Sequence, residues 1–97
     1  MNWDTFQQSL EDSSPPSALT SALQALWWDA QEDWDQAHDL AQEDHSQAGS
    51  WVHAYLHRKE GDTWNADYWY RKAGKIRPKV SLREEWQQMV QQLLQLA

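Results

Sequence analysis

His53 and His57 stand four residues apart, and on a helix that spacing turns both imidazoles the same way, with Glu60 near the next turn of the same face. Two imidazoles so placed form half a clamp for a zinc-like ion, and hydrolytic versions of the clamp carry a Glu beside the first His to activate water. Ala54 occupies that position here, and a third ligand would have to come from elsewhere, from His38, His45 or Asp39. The spacing alone lacks a full ligand set. The expectation is therefore hydrogen-bonded or surface histidines, with no metal and no cofactor. A metal-dependent enzyme using His53 and His57 is the alternative.

Other chemistry is thinly represented. The chain has no cysteine, which excludes disulfides, thiolate nucleophiles and Cys-based zinc sites. It has no glycine-rich phosphate loop and no Gly-x-Ser-x-Gly elbow, and no nucleophile stands with a credible base. No catalytic residue is assigned. The reading favours a protein that is not an enzyme.

Aromatic side chains carry more information. Trp occurs eight times in 97 residues, more than a small core needs for bulk. In the segment after Asp62, Trp64, Tyr68, Arg71 and Lys75 fall about 180° around a helix from Ala66, Trp69, Tyr70 and Ala73. Trp28, with Gln24, likewise lies opposite Leu19, Leu23 and Leu26. Aromatics on rigid helices offer large contact area at little entropy cost. We expect Trp28, His53, His57, Trp64 and Tyr68 to converge on a concavity that binds a partner segment. Arg71 and Lys75 at its rim would draw an acidic or carboxylate-ended ligand. The competing expectation buries the Trp64/Tyr68 stripe under the first or last helix.

The elements that must position these groups are helices, because no segment alternates with period two. Trp3, Phe6 and Leu10 mark a short first helix ending before Ser13-Ser14-Pro15-Pro16. Ser14 or Ser17 is expected to cap a second helix, with proline in its first turn. A third follows Asp33, with Trp34, Ala37, Leu40 and Ala41 inward. A fourth begins near Gly49 and ends at Gly61, and Asp62 caps a fifth that Gly74 and Pro78 close. Ser81 and Glu84 read as a capping box for a sixth, whose stripe is Leu82, Trp86, Met89, Val90 and Leu93.

A shift of 29 residues superimposes apolar faces: Leu19, Ala22, Leu23, Leu26 and Trp27 map onto Ala48, Trp51, Val52, Tyr55 and Leu56. Asp33, Ala25 and Ala37 map onto the identical residues Asp62, Ala54 and Ala66. Two hairpins on one plan are expected. In the second, Ala66, Tyr70, Ala73 and Pro78 stand at the spacing of a tetratricopeptide unit's second helix, and the hairpins over roughly residues 20 to 79 resemble that family. Ala54 matches its small-residue position, whereas His53 and His57 replace the usual Leu and Tyr, and 29 is shorter than the family's roughly 34. The resemblance implies a protein-binding array whose groove Gln24, Trp28, His53 and His57 would line. The run from Trp51 to Asp62 is also similar to a block in small uncharacterised bacterial proteins, which implies a bacterial source and no activity.

The whole then reads as one all-α domain, 1–97, of five or six helices in antiparallel hairpins. It is either a tetratricopeptide-like right-handed array or a compact bundle. The first hairpin is 17–45, the second 47–78 and a C-terminal packing helix 81–96. Residues 1–57 carry ten acids and no Lys or Arg; residues 58–97 carry +3, for a net −7. That split favours end-to-end attraction and a possible homodimer. The net charge argues against nucleic acid despite the cluster Arg71, Lys72, Lys75, Arg77, Lys79 and Arg83. No apolar run reaches the roughly 18 residues of a membrane span. With neither that nor a signal peptide at Met1-Asn2-Trp3-Asp4, the expected location is the cytoplasm. The expected function is a small interaction module, an adapter or scaffold, for a protein or peptide partner. Besides the metal-dependent enzyme, a binder of small cations in a Trp-lined acidic pocket is the other alternative.

Overall fold

The structure, a computed structural model, describes residues 1–96. Six helices follow one another: α1 (Trp3–Ser9), α2 (Ser21–Ala30), α3 (Trp34–Glu43), α4 (Gln47–Lys59), α5 (Thr63–Lys72) and α6 (Leu82–Leu96), with no strand among the described residues. Local chemistry sets most of their starts. The side chains of Asn2, Asp33, Ser46 and Asp62 accept the amides of Thr5, Gln36, Gly49 and Asn65. Ser81 accepts the Glu84 amide at 3.1 Å, and the Glu84 carboxylate answers by accepting the Ser81 hydroxyl at 3.3 Å.

The start of α2 differs from expectation. Neither Ser14 nor Ser17 caps it; the cap is Thr20, whose hydroxyl accepts the Leu23 amide at 3.3 Å. The prolines close their own turn first, because the Leu19 amide bonds the Pro16 carbonyl, and the Leu19 carbonyl is taken by the Gln24 side chain at 2.9 Å. Leu19 still buries its side chain, so the core face is kept although the helix is shorter. Gly49 lies inside the first turn of α4, where a Cβ would stand 2.1 Å from the Asp44 carbonyl oxygen, so no side chain fits without moving backbone.

The two hairpin turns repeat at the level of single hydrogen bonds. After α2, Glu32 adopts φ 62° and the Asp33 amide reaches back to the Trp28 carbonyl; after α4, Gly61 adopts φ 87° and the Asp62 amide reaches back to the His57 carbonyl. Every pair is 29 residues apart, and each turn ends in an Asp that caps the next helix. Glu32 bears about 1–2 kcal/mol of left-handed strain that Gly61 does not.

Packing follows from the faces. α2 packs on α3 and α4 on α5, the hairpins meet through α3 and α2 against α4, and α6 crosses α2 and α4, with α1 packed on α6 and tied to α2 where the Trp27 indole N–H meets the Ser9 carbonyl. α6 thus covers the side of α2 and α4 that carries Leu26, Trp51 and Arg58, and leaves His53 and His57 to α3 and α5. Trp86 seals the crossing, its indole N–H donating to the Leu26 carbonyl at 3.0 Å and its ring lying 6.0 Å from both Trp3 and Phe6. Ala37 and Ala66 are fully buried, one in each hairpin. A leucine at either should overpack its site and cost roughly 1–3 kcal/mol. Denaturant midpoints measure this; two unaltered midpoints would contradict equivalent crossings.

Two carboxylates are buried in the helix packing. Glu85, 1% exposed, accepts the Tyr70 hydroxyl at 2.7–2.8 Å and the Arg58 guanidinium at 2.7 Å, with the Trp51 indole N–H at 3.4 Å. Arg58 also donates to the Val80 carbonyl. Asp29 accepts the Tyr55 hydroxyl at 2.8 Å and the Lys59 ammonium at 2.9 Å. Burial, reinforced by these carboxylates, raises the pKa of both phenols, so Tyr55 and Tyr70 act only as O–H donors. Four of the five partners, Trp51, Tyr55, Arg58 and Lys59, lie on α4, which ties α2 and α6 together, and the fifth, Tyr70, comes from α5.

Candidate functional site

His53 and His57 face the same way, one turn apart on α4, with ring centroids 4.8 Å apart. α3 brings a third imidazole: His38 Nε2 lies 3.0 Å from His53 Nε2. One nitrogen of each of the three rings lies within 4.8 Å of those of the other two. His45 and Asp39, the other groups considered as third ligands, are exposed and outside this cluster.

Tryptophans from two helices hold the rings in place. Trp34, one turn before His38 on α3, stacks on it with centroids 4.7 Å apart and planes 11° from parallel. The Trp34 indole N–H is fixed by the Leu56 carbonyl at 2.9 Å. Trp69 of α5 stacks on His53 at 4.0 Å. On the outer side, His57 Nδ1 meets Glu60 Oε1 at 2.7 Å. Asp62 also lies near His57, but it is committed to capping α5 and bonds the Asn65 side chain at 2.7 Å.

Burial decides the charge here. It pushes the His53 pKa down to about 4, with His38 and His57 adding to the effect, and it lowers His38 in the same way. At neutral pH, His53 is therefore an uncharged imidazole that shares one hydrogen bond with His38.

An aromatic surface continues outward along α5. Tyr68 meets Trp69 edge to face at 5.3 Å, and Trp64 stacks nearly parallel to Tyr68, with planes 13° apart. Trp64 is 75% exposed and Tyr68 38%, so neither α1 nor α6 covers them. The Lys72 ammonium sits 5.5 Å from the Tyr68 ring and 5.2 Å from the Trp69 ring. Arg71 is exposed beside it, and neither cation has an ion-pair partner among the described residues.

Of the seven residues expected at the site, Trp64, Tyr68 and His57 reach this side of the molecule, joined through Trp69 and His53; His53 itself is buried under Trp69 and lines no open concavity, and exposed Arg71 stands between this face and the hollow it lines with Lys75. Trp28 and Lys75 are placed elsewhere. Trp28 is half-buried, and its ring contact is with Trp27 at 5.0 Å. The Lys75 ammonium lies 4.0 Å over the Trp51 ring, beside a shallow hollow of about 370 Å³ formed with the loop from Ile76 to Lys79. Gln24 is held by the Leu19 carbonyl, so it lines no groove with the histidines. Trp34, Trp69 and Lys72 were not named as site residues. The i, i+4 spacing of Trp34 and His38 is the sequence signal for the first of them.

A second hollow of about 350 Å³ lies between α1, α2, α4 and α6, with Asp29, Lys59 and Trp86 in its wall. A small cation would find its acid already paired, since Lys59 and Tyr55 occupy Asp29.

No protein-family model, no curated protein and no solved structure matches this chain.

Proposed function

We propose that the protein is a small interaction module whose working surface is the outer face of α5, and that it holds an acidic partner segment carrying an apolar anchor. The observation that supports this reading most is Trp64: an indole 75% exposed, stacked on a tyrosine, on a rigid helix. Neither the core nor the helix needs it there, while Trp and Tyr are the side chains that most often dominate binding energy. Unpaired Arg71 and Lys72 at the same face make an acidic partner the complementary one. The resemblance of the hairpins to tetratricopeptide units, carried by Ala54, Ala66, Tyr70, Ala73 and Pro78, fits the same class. We place this work in the cytoplasm; no described helix is long and apolar enough to cross a membrane.

Acidic peptides selected by display on the immobilised protein provide the test. Trp64→Ala should weaken their binding by about 1–2 kcal/mol, roughly 5- to 30-fold, as loss of a desolvated anchor does. Its unfolding free energy should stay within about 0.5 kcal/mol of the parent, because the side chain supports no core contact. Affinity should also fall as salt is raised, since exposed cations act through a screened field. Peptides that bind Trp64→Ala as tightly as the parent would overturn the reading.

A further inference from the structure

We infer that His38, His53 and His57 form a binding site for one divalent transition-metal ion of the zinc class. The geometry carries the inference. A tetrahedral ion with bonds of ~2.0–2.1 Å holds its nitrogen ligands about 3.3 Å apart. The His38 and His53 nitrogens are 3.0 Å apart, and the nitrogen of His57 completes a triangle with no side above 4.8 Å. Two ring nitrogens at 3.0 Å cannot both carry a proton, so one already presents a lone pair, and the other becomes a ligand once its proton moves to Nδ1 of the same ring.

The surroundings are those of a ligand set. The Glu60 carboxylate at His57 Nδ1 holds the proton on that nitrogen and leaves Nε2 as the donor, the arrangement by which carboxylates orient metal-bound imidazoles. Trp34 stacked on His38 and Trp69 stacked on His53 hold those two rings in fixed orientations, so little order is lost when an ion binds. Three imidazoles without thiolate suit Zn²⁺, Cu²⁺ or Ni²⁺ over Mg²⁺ or Ca²⁺, which prefer oxygen. Three protein ligands leave a fourth position open for water or another ligand.

Calorimetric titration of the full chain with ZnCl₂, after dialysis against a chelator, tests the site. One ion per chain should bind. His38→Gln and His53→Gln should each weaken binding by more than about 100-fold, and Glu60→Gln, which removes only the orienting carboxylate, by roughly 10-fold. His45→Gln and Trp64→Ala should leave it unchanged, which separates the metal site from the docking surface. Co²⁺ in place of Zn²⁺ should give the visible absorption of a tetrahedral site, lost in His38→Gln. If His53→Gln fails to fold, His38→Gln, at a half-buried position of α3, decides the matter. Absence of saturable binding below about 100 μM Zn²⁺, or binding that survives His38→Gln, would overturn the inference.

Discussion

Glu85→Ala is expected to cost about 3–5 kcal/mol, the loss associated with removing one partner of a buried ion pair. In a domain of this size that lowers the thermal midpoint by roughly 12 °C or more. The carboxylate is 1% exposed and is the common acceptor for Arg58 and Tyr70. Without it, a guanidinium only 18% exposed loses its counter-charge and a buried phenol loses its acceptor. Glu85→Gln keeps an acceptor and loses the charge, so it should fall between the parent and the alanine variant. Exchanging Glu85 and Arg58 together for methionine should cost less than the two single changes combined, because no orphaned charge remains. Chemical denaturation of the parent, the alanine and glutamine variants, the two single methionine variants and the double gives the comparison. A Glu85→Ala variant within about 1 kcal/mol of the parent would show that the buried pair is not a support of the fold.

Truncation after Lys79 is expected to abolish cooperative folding. It removes Met89, Val90, Leu93 and Trp86, the first three buried, together with Glu85. At roughly 1.5–3 kcal/mol for each fully buried side chain, the apolar loss alone rivals the ~5–15 kcal/mol by which such a domain is stable. It also bares the α2 and α4 face and strips α1 of the helix it packs on. Aggregation, or a broad melt with loss of near-ultraviolet dichroism, is the expected outcome. A soluble truncate that melts sharply would show α6 to be dispensable.

The parts of the fold that were readable in the sequence are those decided within a few residues. Asp33, Asp62 and Ser81 announce helix starts because a cap needs only the next three amides, and a shift of 29 residues carries the apolar phase of α2 onto α4 and Ala37 of α3 onto Ala66 of α5. Thr20 was missed because the choice among Ser14, Ser17 and Thr20 turns on which carbonyls the proline turn and Gln24 consume. Glu85 was invisible for a related reason. In the first turn of a helix a Glu reads as a dipole-stabilising surface group, and only the arrival of Tyr70 and Arg58, 15 and 27 residues earlier in the chain, makes it internal.

At the candidate site, helical phase put Trp64 and Tyr68 opposite the core of α5, but their exposure depended on where α6 came to rest. His38 could be weighed only as one of three partners for His53 and His57, since the packing of α3 on α4 selects among them. Trp28 and Lys75 were misplaced by the same logic in reverse. Both lie off the apolar face of their segments, and each found an aromatic neighbour, Trp27 or Trp51, away from the histidines.

The eight tryptophans make the location of the working surface directly observable, because each indole N–H gives its own nitrogen–proton NMR signal. The decisive measurement is a titration of the ¹⁵N-labelled protein with a display-selected acidic peptide, followed at the indole resonances. The Trp64 signal should move most and that of Trp69 less, while those of Trp3, Trp27 and Trp86, which lie at the α1–α2–α6 packing, stay in place. A peptide that shifts Trp3, Trp27 or Trp86 and leaves Trp64 unmoved would contradict the assignment of the α5 face.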